Sequence, residues 1–193
     1  HRGYSIEELA SKASFLEVAY LLIHSELPSA EEYEKFTLGI TMHTMLHEDL
    51  KDFFSSFPKD AHPMAVCSAV VAALSTFYPQ DLDPNDAGQV LNSAERLIAK
   101  FPTIAAYAHK HSVGHPFLYP NNALGYVENF LSMMFGTPCD DYEVDPVVSH
   151  AIEMLLILHA DHEQNCSTSA VRLVASSHAN LFASISSGIN ALW

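Results

Sequence analysis

The chain has 193 residues, of which 49% are hydrophobic, and its formal net charge is −14 at pH 7. This composition predicts a globular chain, and the acidic excess disfavours nucleic acid and anionic membranes as partners. The longest apolar run, residues 64–74, is far shorter than the roughly 20 residues that span a bilayer. Three widely spaced cysteines fit a reducing compartment better than a disulfide framework. We therefore expect a cytoplasmic globular protein.

The first fifty residues contain three successive helix-start patterns. Each is an S-x-x-E capping box followed by apolar residues at helical spacing: Ser5 with Glu8, Ser14 with Glu17, and Ser29 with Glu32. In such a box the serine hydroxyl and the glutamate carboxylate satisfy backbone N–H groups at the start of a helix. The pattern predicts three short helices.

Helical signals continue to the end of the chain, and no convincing alternating strand or internal repeat interrupts them. Asp60 with Pro63 opens an apolar helix to about Tyr78, and a loop follows. Prolines and caps predict the later boundaries. One helix starts at Pro84 and ends at Pro102, where another starts. Asn122 caps a helix that stops at Gly136, and Asp145 with Pro146 starts the next one. The result is an all-α domain of about ten helices.

The densest polar chemistry follows the last apolar run of the helix that begins near Pro146. There the chain reads HADHEQN, with His159 and His162 three residues apart. This spacing places both imidazoles on one face of a helical turn, where they can converge on one small ligand. The hydroxyl side chains that come next suit the N-cap of another helix: Ser167, Thr168 and Ser169. The pattern predicts a functional site at a helix-to-helix corner.

A metal site is the alternative interpretation of this corner, because two histidines and two carboxylates within five residues can bind zinc. No third ligand follows at a known spacing, however, and the string is not HExxH. We therefore expect no metal. Stoichiometric zinc in the purified protein would support the alternative.

Beyond the corner, a series of strings resembles the citrate synthase family, specifically its Gram-negative bacterial type. HADHEQN is followed by CSTSAVRLVASSHANLFASISSGINALW, and earlier strings occur in the family's order: RGYSIEELA, SFLEVAYLLI, HTMLHEDL, DAHPMAV, PTIAAYAHKHSVGHPFLYPNN and ENFLSMMFGTPC. The resemblance covers essentially the whole chain. It implies a large helical domain, and condensation of acetyl-CoA with oxaloacetate and water to give citrate and CoA.

The resemblance also implies roles for four residues of the corner. It makes His162 the histidine that binds oxaloacetate and His159 a neighbour that shapes the pocket. Asn165 and Ser167 match polar residues that support the pocket, with Ser167 orienting a second, enol-side histidine. It implies no permanently bound cofactor, since acetyl-CoA is a co-substrate.

We expect the sequence to be a fragment of the family's large domain that is inactive alone. In the family, a Gly-rich segment with the enol-stabilising histidine comes directly after the position of Trp193. The base aspartate and the arginines that clamp oxaloacetate come later still. The low number of cations agrees, because a dianionic substrate and a phosphate-bearing CoA need fixed positive charges.

A regulatory nucleotide site is a further expectation. Arg96 and Lys100 are four residues apart, so one predicted helix face can direct both charges at a phosphate. The resemblance implies an NADH-inhibited enzyme whose site residues here are His43, Thr44, Tyr78, Arg96, Lys100, Asn122 and Cys139. Three positions depart from the family's pattern, Met42 and Asn121 in place of arginine and His115 in place of glutamine, and the loss of two cations weakens a phosphate site.

Small residues cluster on four predicted helices, near residues 69–73, 105–108, 170–177 and 183–188. Small side chains let helices approach closely, either within one subunit or between subunits. The resemblance favours an interface, in a homodimer or a hexamer built from three dimers. Two other functions remain open: a 2-methylcitrate synthase that uses propionyl-CoA, and a non-catalytic helical interaction module.

Overall fold

The computed structural model describes residues 1–192 as an all-α fold. Its ten α-helices, in chain order, are α1 Ile6–Lys12, α2 Phe15–His24, α3 Ala30–Met42, α4 Glu48–Phe54, α5 Pro63–Leu74, α6 Ala87–Val113, α7 Tyr126–Phe135, α8 Pro146–His159, α9 Cys166–Ala175 and α10 Leu181–Ala191. A 3-10 turn, Ser75–Phe77, extends α5. The described residues form no strand, only an isolated bridge between Thr137 and Asp140. The prediction of an all-α domain of about ten helices is confirmed.

The serine caps of the first three helices lie where the S-x-x-E pattern predicts them. At α2, the Ser14 N–H donates to the Glu17 carboxylate at 2.6 Å, and the Glu17 N–H donates to the Ser14 hydroxyl at 3.2 Å. Helix α3 has the same reciprocal pair at Ser29 and Glu32. At α1 only the serine half forms, since the Glu8 N–H donates to Ser5. Local side-chain chemistry therefore defines these helix starts.

The predicted helix break at Pro102 is wrong. Helix α6 continues through Pro102 over 27 residues. Because proline has no N–H, it leaves the carbonyl four residues earlier, that of Ile98, without its helical partner. The hydroxyl of Tyr126, on α7, donates to that carbonyl at 2.8 Å. A neighbouring helix thus replaces the missing hydrogen bond, which lets the helix continue.

Several predicted caps are displaced by a few residues. Helix α6 starts after Asp86 rather than at Pro84, because the Asp86 carboxylate accepts two backbone N–H groups of its first turn. Helix α7 starts after Gly125 rather than Asn122, and the Glu128 carboxylate accepts the Gly125 N–H at 3.1 Å. Helix α5 begins at Pro63 as predicted, but its cap is His62 rather than Asp60. The predicted stop at Gly136 is confirmed.

The main core forms around α5, which packs against α6 and α10. Its largest side chains that are shielded from solvent include Phe54, Tyr107 and Phe182. Small residues allow close packing within the chain: the buried Ser186 hydroxyl of α10 donates to the Ser68 carbonyl of α5 at 2.8 Å. At Gly188, an added Cβ would lie 2.6 Å from a methyl carbon of Val171 on α9. Part of the small-residue pattern therefore serves packing inside this chain.

Helix α9 has a different environment, since none of its residues is buried. Leu173, in its last turn, is 73% exposed. In the described part of the chain, no helix is long and apolar enough to cross a membrane.

Candidate functional site

The corner between α8 and α9 brings the two predicted histidines together. Helix α8 ends at His159, and α9 starts after Asn165, whose side-chain oxygen accepts the Thr168 N–H at 2.9 Å. The ring centroids of His159 and His162 are 5.4 Å apart, with the ring planes at 71°. Both side chains are exposed. Two imidazoles therefore face the same small region of solvent.

The hydrogen bonds of the two histidines differ. The Nδ1 atom of His159 lies 2.7 Å from the Leu155 carbonyl. A carbonyl can only accept, so Nδ1 carries the proton, and this bond fixes the orientation of the His159 ring. His162 makes no hydrogen bond to any other residue of the described chain. Both ring nitrogens of His162 are therefore available to a ligand, whereas His159 has only Nε2 left.

A tight turn between the helices carries His162. Glu163 has a left-handed backbone, with φ of +61°. The Glu163 N–H donates to the Asp161 carboxylate at 3.0 Å, and its carbonyl accepts the Asn165 N–H at 3.1 Å. On the other side of Asp161, the second carboxylate oxygen lies 3.3 Å from Nδ1 of His1. His1 is a site residue that the sequence gave no reason to single out, because it lies 160 positions away.

The two predicted supporting residues have distinct environments. Asn165 is the N-cap of α9, in place of the serine and threonine residues that the sequence favoured for this cap. Ser167, in the first turn of α9, has a buried hydroxyl oxygen with no hydrogen-bond partner among residues 1–192. Its backbone faces Gly188 of α10. Ser167 therefore has unused hydrogen-bonding capacity at the base of the corner.

The corner contains no fixed positive charge that could bind a dicarboxylate. No lysine or arginine of the described residues forms an ion pair or hydrogen bond with the corner's side chains. Across residues 1–192, no group of three or more His, Cys, Asp and Glu side chains has an arrangement that could hold a metal ion. The site therefore offers imidazoles, backbone groups and carboxylates.

Most of the predicted nucleotide-site residues lie together where α6 passes the end of α3. Nζ of Lys100 donates to the His43 carbonyl at 2.7 Å and to the Met45 carbonyl at 2.5 Å. The Arg96 guanidinium lies 4.6 Å from the centroid of the Tyr78 ring. Within the same loop, the Thr44 carbonyl accepts the hydroxyl of Thr103 on α6 at 2.8 Å.

Both cations of this cluster already have partners. Arg96 forms an ion pair with Asp81, which the sequence analysis missed because nothing local marks residues fifteen positions apart as partners. Lys100 is only 3% exposed. Burial, reinforced by the charge of Arg96, lowers the pKa of Lys100 to about 8. Burial also lowers the pKa of His43, with further contributions from both cations.

The remaining predicted members lie at or beyond the edge of the cluster. The Asn122 amide nitrogen is 3.9 Å from the sulfur of Met42. Cys139 is exposed, in the turn bridged by Thr137 and Asp140. No hydrogen bond or ring contact in the described chain joins Cys139 to the cluster. The structure therefore brings five of the seven residues together, places Asn122 at the edge through its contact with Met42, and joins Cys139 to none of them by a hydrogen bond or ring contact.

The fold and the corner define an all-helical protein with paired histidines where helix α8 ends. The family model described as "Citrate synthase, C-terminal domain" matches residues 1–193. The chain therefore belongs to the citrate synthase family.

Similar curated proteins carry the same name. "Citrate synthase 1" of Mycobacterium tuberculosis is 63% identical over 193 residues, which are 100% of this chain and 45% of that protein. The citrate synthase of Corynebacterium glutamicum is 54% identical over 192 residues, 100% of this chain and 44% of that protein. The chain thus spans less than half the length of the curated relatives it matches. The narrower assignment to a Gram-negative type stays a prediction.

Solved structures agree with the fold. The crystal structure of citrate synthase from Pyrobaculum aerophilum matches with a TM-score of 0.91 and 36% identity, covering 100% of this chain and 48% of that one. The crystal structure of citrate synthase from Thermotoga maritima matches with a TM-score of 0.84 and 29% identity, again covering 100% of this chain and 48% of that one. The ten helices of this chain therefore have counterparts in experimental citrate synthase structures.

Proposed function

We propose that the full-length protein condenses acetyl-CoA with oxaloacetate and water, releasing citrate and CoA. The match of the family model to every residue of the chain carries this proposal. The corner supports it, because the turn after α8 presents an imidazole that is free to bind a carbonyl oxygen. On this proposal the chain itself is inactive and contributes part of the active site.

In this reaction His162 binds oxaloacetate. A donor at the ketone oxygen polarises the carbonyl and stabilises the negative charge that develops when the enolate attacks. His162 suits this role because no bond within the described residues occupies its ring nitrogens. His159 shapes the pocket, since its bond to the Leu155 carbonyl fixes its ring in one orientation.

The remaining catalytic groups belong to the rest of the protein. Removing a proton from the thioester methyl group requires a carboxylate base and a donor at the enolate oxygen. The dianionic substrate requires arginine or lysine side chains, which the corner lacks. We assign the buried Ser167 hydroxyl to the enol-side histidine, because that hydroxyl has no partner within residues 1–192.

The test is an assay of CoA release by the full-length protein, with acetyl-CoA and propionyl-CoA in parallel. Replacing His162→Ala should abolish most of the turnover, whereas His150→Ala, an exposed histidine of the same helix as His159, should leave it unchanged. A preference for propionyl-CoA would make the protein a 2-methylcitrate synthase. Failure with both substrates would refute the enzyme proposal and favour a helical interaction module.

We propose NADH as an inhibitor that binds the cluster around Arg96 and Lys100. The assembly of that cluster supports the site. Before a phosphate is bound, either the ion pair between Arg96 and Asp81 must open, or Lys100 must donate its third N–H to the phosphate. NADH protection of Cys139 from a thiol reagent, read by peptide mass spectrometry, would support the proposal. Equal labelling with and without NADH would remove it.

We also propose that the full-length protein is a cytoplasmic homodimer or a hexamer of three dimers, with α9 in an interface. The absence of any buried residue in α9 and the 73% exposure of Leu173 support this assembly. Analytical ultracentrifugation of the full-length protein tests it, and a monomer at micromolar concentration would refute it.

A further inference from the structure

His1 contacts the histidine corner from the opposite end of the chain. Its Nδ1 atom lies 3.3 Å from the outer carboxylate oxygen of Asp161, and its side chain is 13% exposed while that of Asp161 is 45% exposed. These two side chains line one cleft of about 470 Å³ together with His162 and Glu163. The contact therefore lies at the wall of the region where a ligand of His162 would bind.

Asp161 uses both carboxylate oxygens. One accepts the Glu163 N–H at 3.0 Å and so stabilises the left-handed backbone of Glu163, while the other faces His1. A left-handed conformation is costly for a residue other than glycine, so it needs such support. Because His162 lies between these two residues, the carboxylate restrains the backbone on both sides of it.

The segment that carries His1 is anchored independently of the corner. Arg2 and Gly3 both have positive φ angles, 51° and 96°, which form a sharp turn. The Arg2 guanidinium donates to the Leu22 carbonyl of α2 at 3.2 Å. His1 therefore links the exposed turn of the corner to α2, which contributes buried residues to the core.

We infer that His1 and Asp161 are positioning residues that hold the imidazole of His162 in the orientation that binds oxaloacetate. This inference rests on the proposed function. Neither residue is assigned to contact the substrate, because both act through the turn that carries His162. A carbonyl-binding imidazole must be held to within a few tenths of an ångström, and the exposed turn supplies little packing of its own.

The inference is tested with the full-length enzyme by four single variants. His1→Phe keeps the ring but removes the nitrogen, and Asp161→Asn keeps the bond to Glu163 but removes the charge. Each should raise KM for oxaloacetate about three- to tenfold with a smaller change in kcat. His1→Asn should restore a nearly normal KM, because its amide nitrogen occupies the place of Nδ1. The control Asp52→Asn, an exposed carboxylate without a side-chain contact in the described residues, should change neither constant.

The double variant His1→Phe/Asp161→Asn distinguishes a pair from two independent effects. If the residues act together, its KM should not exceed that of the worse single variant. An unchanged KM in His1→Phe, or single effects that multiply in the double variant, would overturn the inference.

A second measurement needs no turnover. Diethylpyrocarbonate modifies exposed imidazoles, and the rate at His162 can be followed by peptide mass spectrometry. We expect a faster reaction in His1→Phe and Asp161→Asn than in the wild type, because the turn becomes looser. Equal rates would refute the positioning role, whereas a wild type that turns over neither acyl-CoA would refute the proposed function instead.

Discussion

The hydrogen bond that bridges the proline of α6 gives the sharpest prediction about stability. The Tyr126 hydroxyl donates to the Ile98 carbonyl at 2.8 Å, which Pro102 leaves without a helical partner. Tyr126→Phe keeps the ring, including its stacking on Phe15, with centroids 5.3 Å apart. The substitution therefore removes the hydrogen bond while it preserves the packing.

The size of the effect follows from the unmatched carbonyl. An unsatisfied acceptor within packed helices costs about 1–3 kcal/mol, more than the net gain of an ordinary hydrogen bond. In a Pro102→Ala background the new N–H can bond to Ile98 itself, so Tyr126→Phe should cost about 1 kcal/mol less there. The proline and the tyrosine should thus show an energetic coupling of that size.

The measurement is urea unfolding of the full-length protein at one fixed concentration, for the wild type, both single variants and the double variant. Tyr142→Phe is the matched control, because its hydroxyl makes no hydrogen bond within the described chain; its effect should be below about 0.5 kcal/mol. If Tyr126→Phe costs the same with and without Pro102, Tyr126 does not replace the missing helical bond, and the explanation for the unbroken helix is refuted.

Three further predictions follow from burial and packing. Cys67 is 5% exposed, and burial raises the pKa of its thiol to about 11. It should therefore react with a thiol reagent far more slowly than the two exposed cysteines, and equal rates in a stopped-flow titration would contradict its burial. Burial lowers the pKa of Lys100 from 10.5 to about 8, so between these pH values the ammonium is deprotonated in the folded state but still protonated in the unfolded chain. The free energy of unfolding should therefore increase as pH rises from 8 towards 10.5. Lys100→Met should remove that gain in urea unfolding at pH 7.5 and about 9.5, and identical pH slopes in both proteins would contradict it. Gly188→Ala should lower the melting temperature, because its Cβ would lie 2.6 Å from a methyl carbon of Val171. The additional substitution Val171→Ala should recover most of the loss, and no recovery would show that the clash is not with Val171.

The family resemblance and the helical class could be predicted from the sequence because both depend on residues that are close along the chain. The serine and glutamate of a capping box are three positions apart, and the structure forms the reciprocal pair at both Ser14 and Ser29. The short spacing also predicts that the two histidines meet, and they do. The predicted geometry is wrong, however: α8 ends at His159, so His162 lies in the turn after the helix and not on the same helix face. Displaced caps, such as Asp86 in place of Pro84, arose where several adjacent residues could serve the same role.

Only the tertiary structure decided the contacts between distant positions. Pro102 would end an isolated helix, but Tyr126 lies 28 positions from Ile98 and supplies the missing donor only after α6 and α7 have packed. The pairing of Arg96 with Asp81 likewise depends on how the loop before α6 folds back onto it.

The sequence by itself determined that this protein is helical, and it located the histidine corner, since helical periodicity and capping act over one turn of chain. It could not show that His1 supports that corner, or that both cations of the predicted nucleotide site are already bonded. These contacts are made by side chains whose positions depend on the packing of whole helices, and no local pattern records which of many distant polar residues will meet.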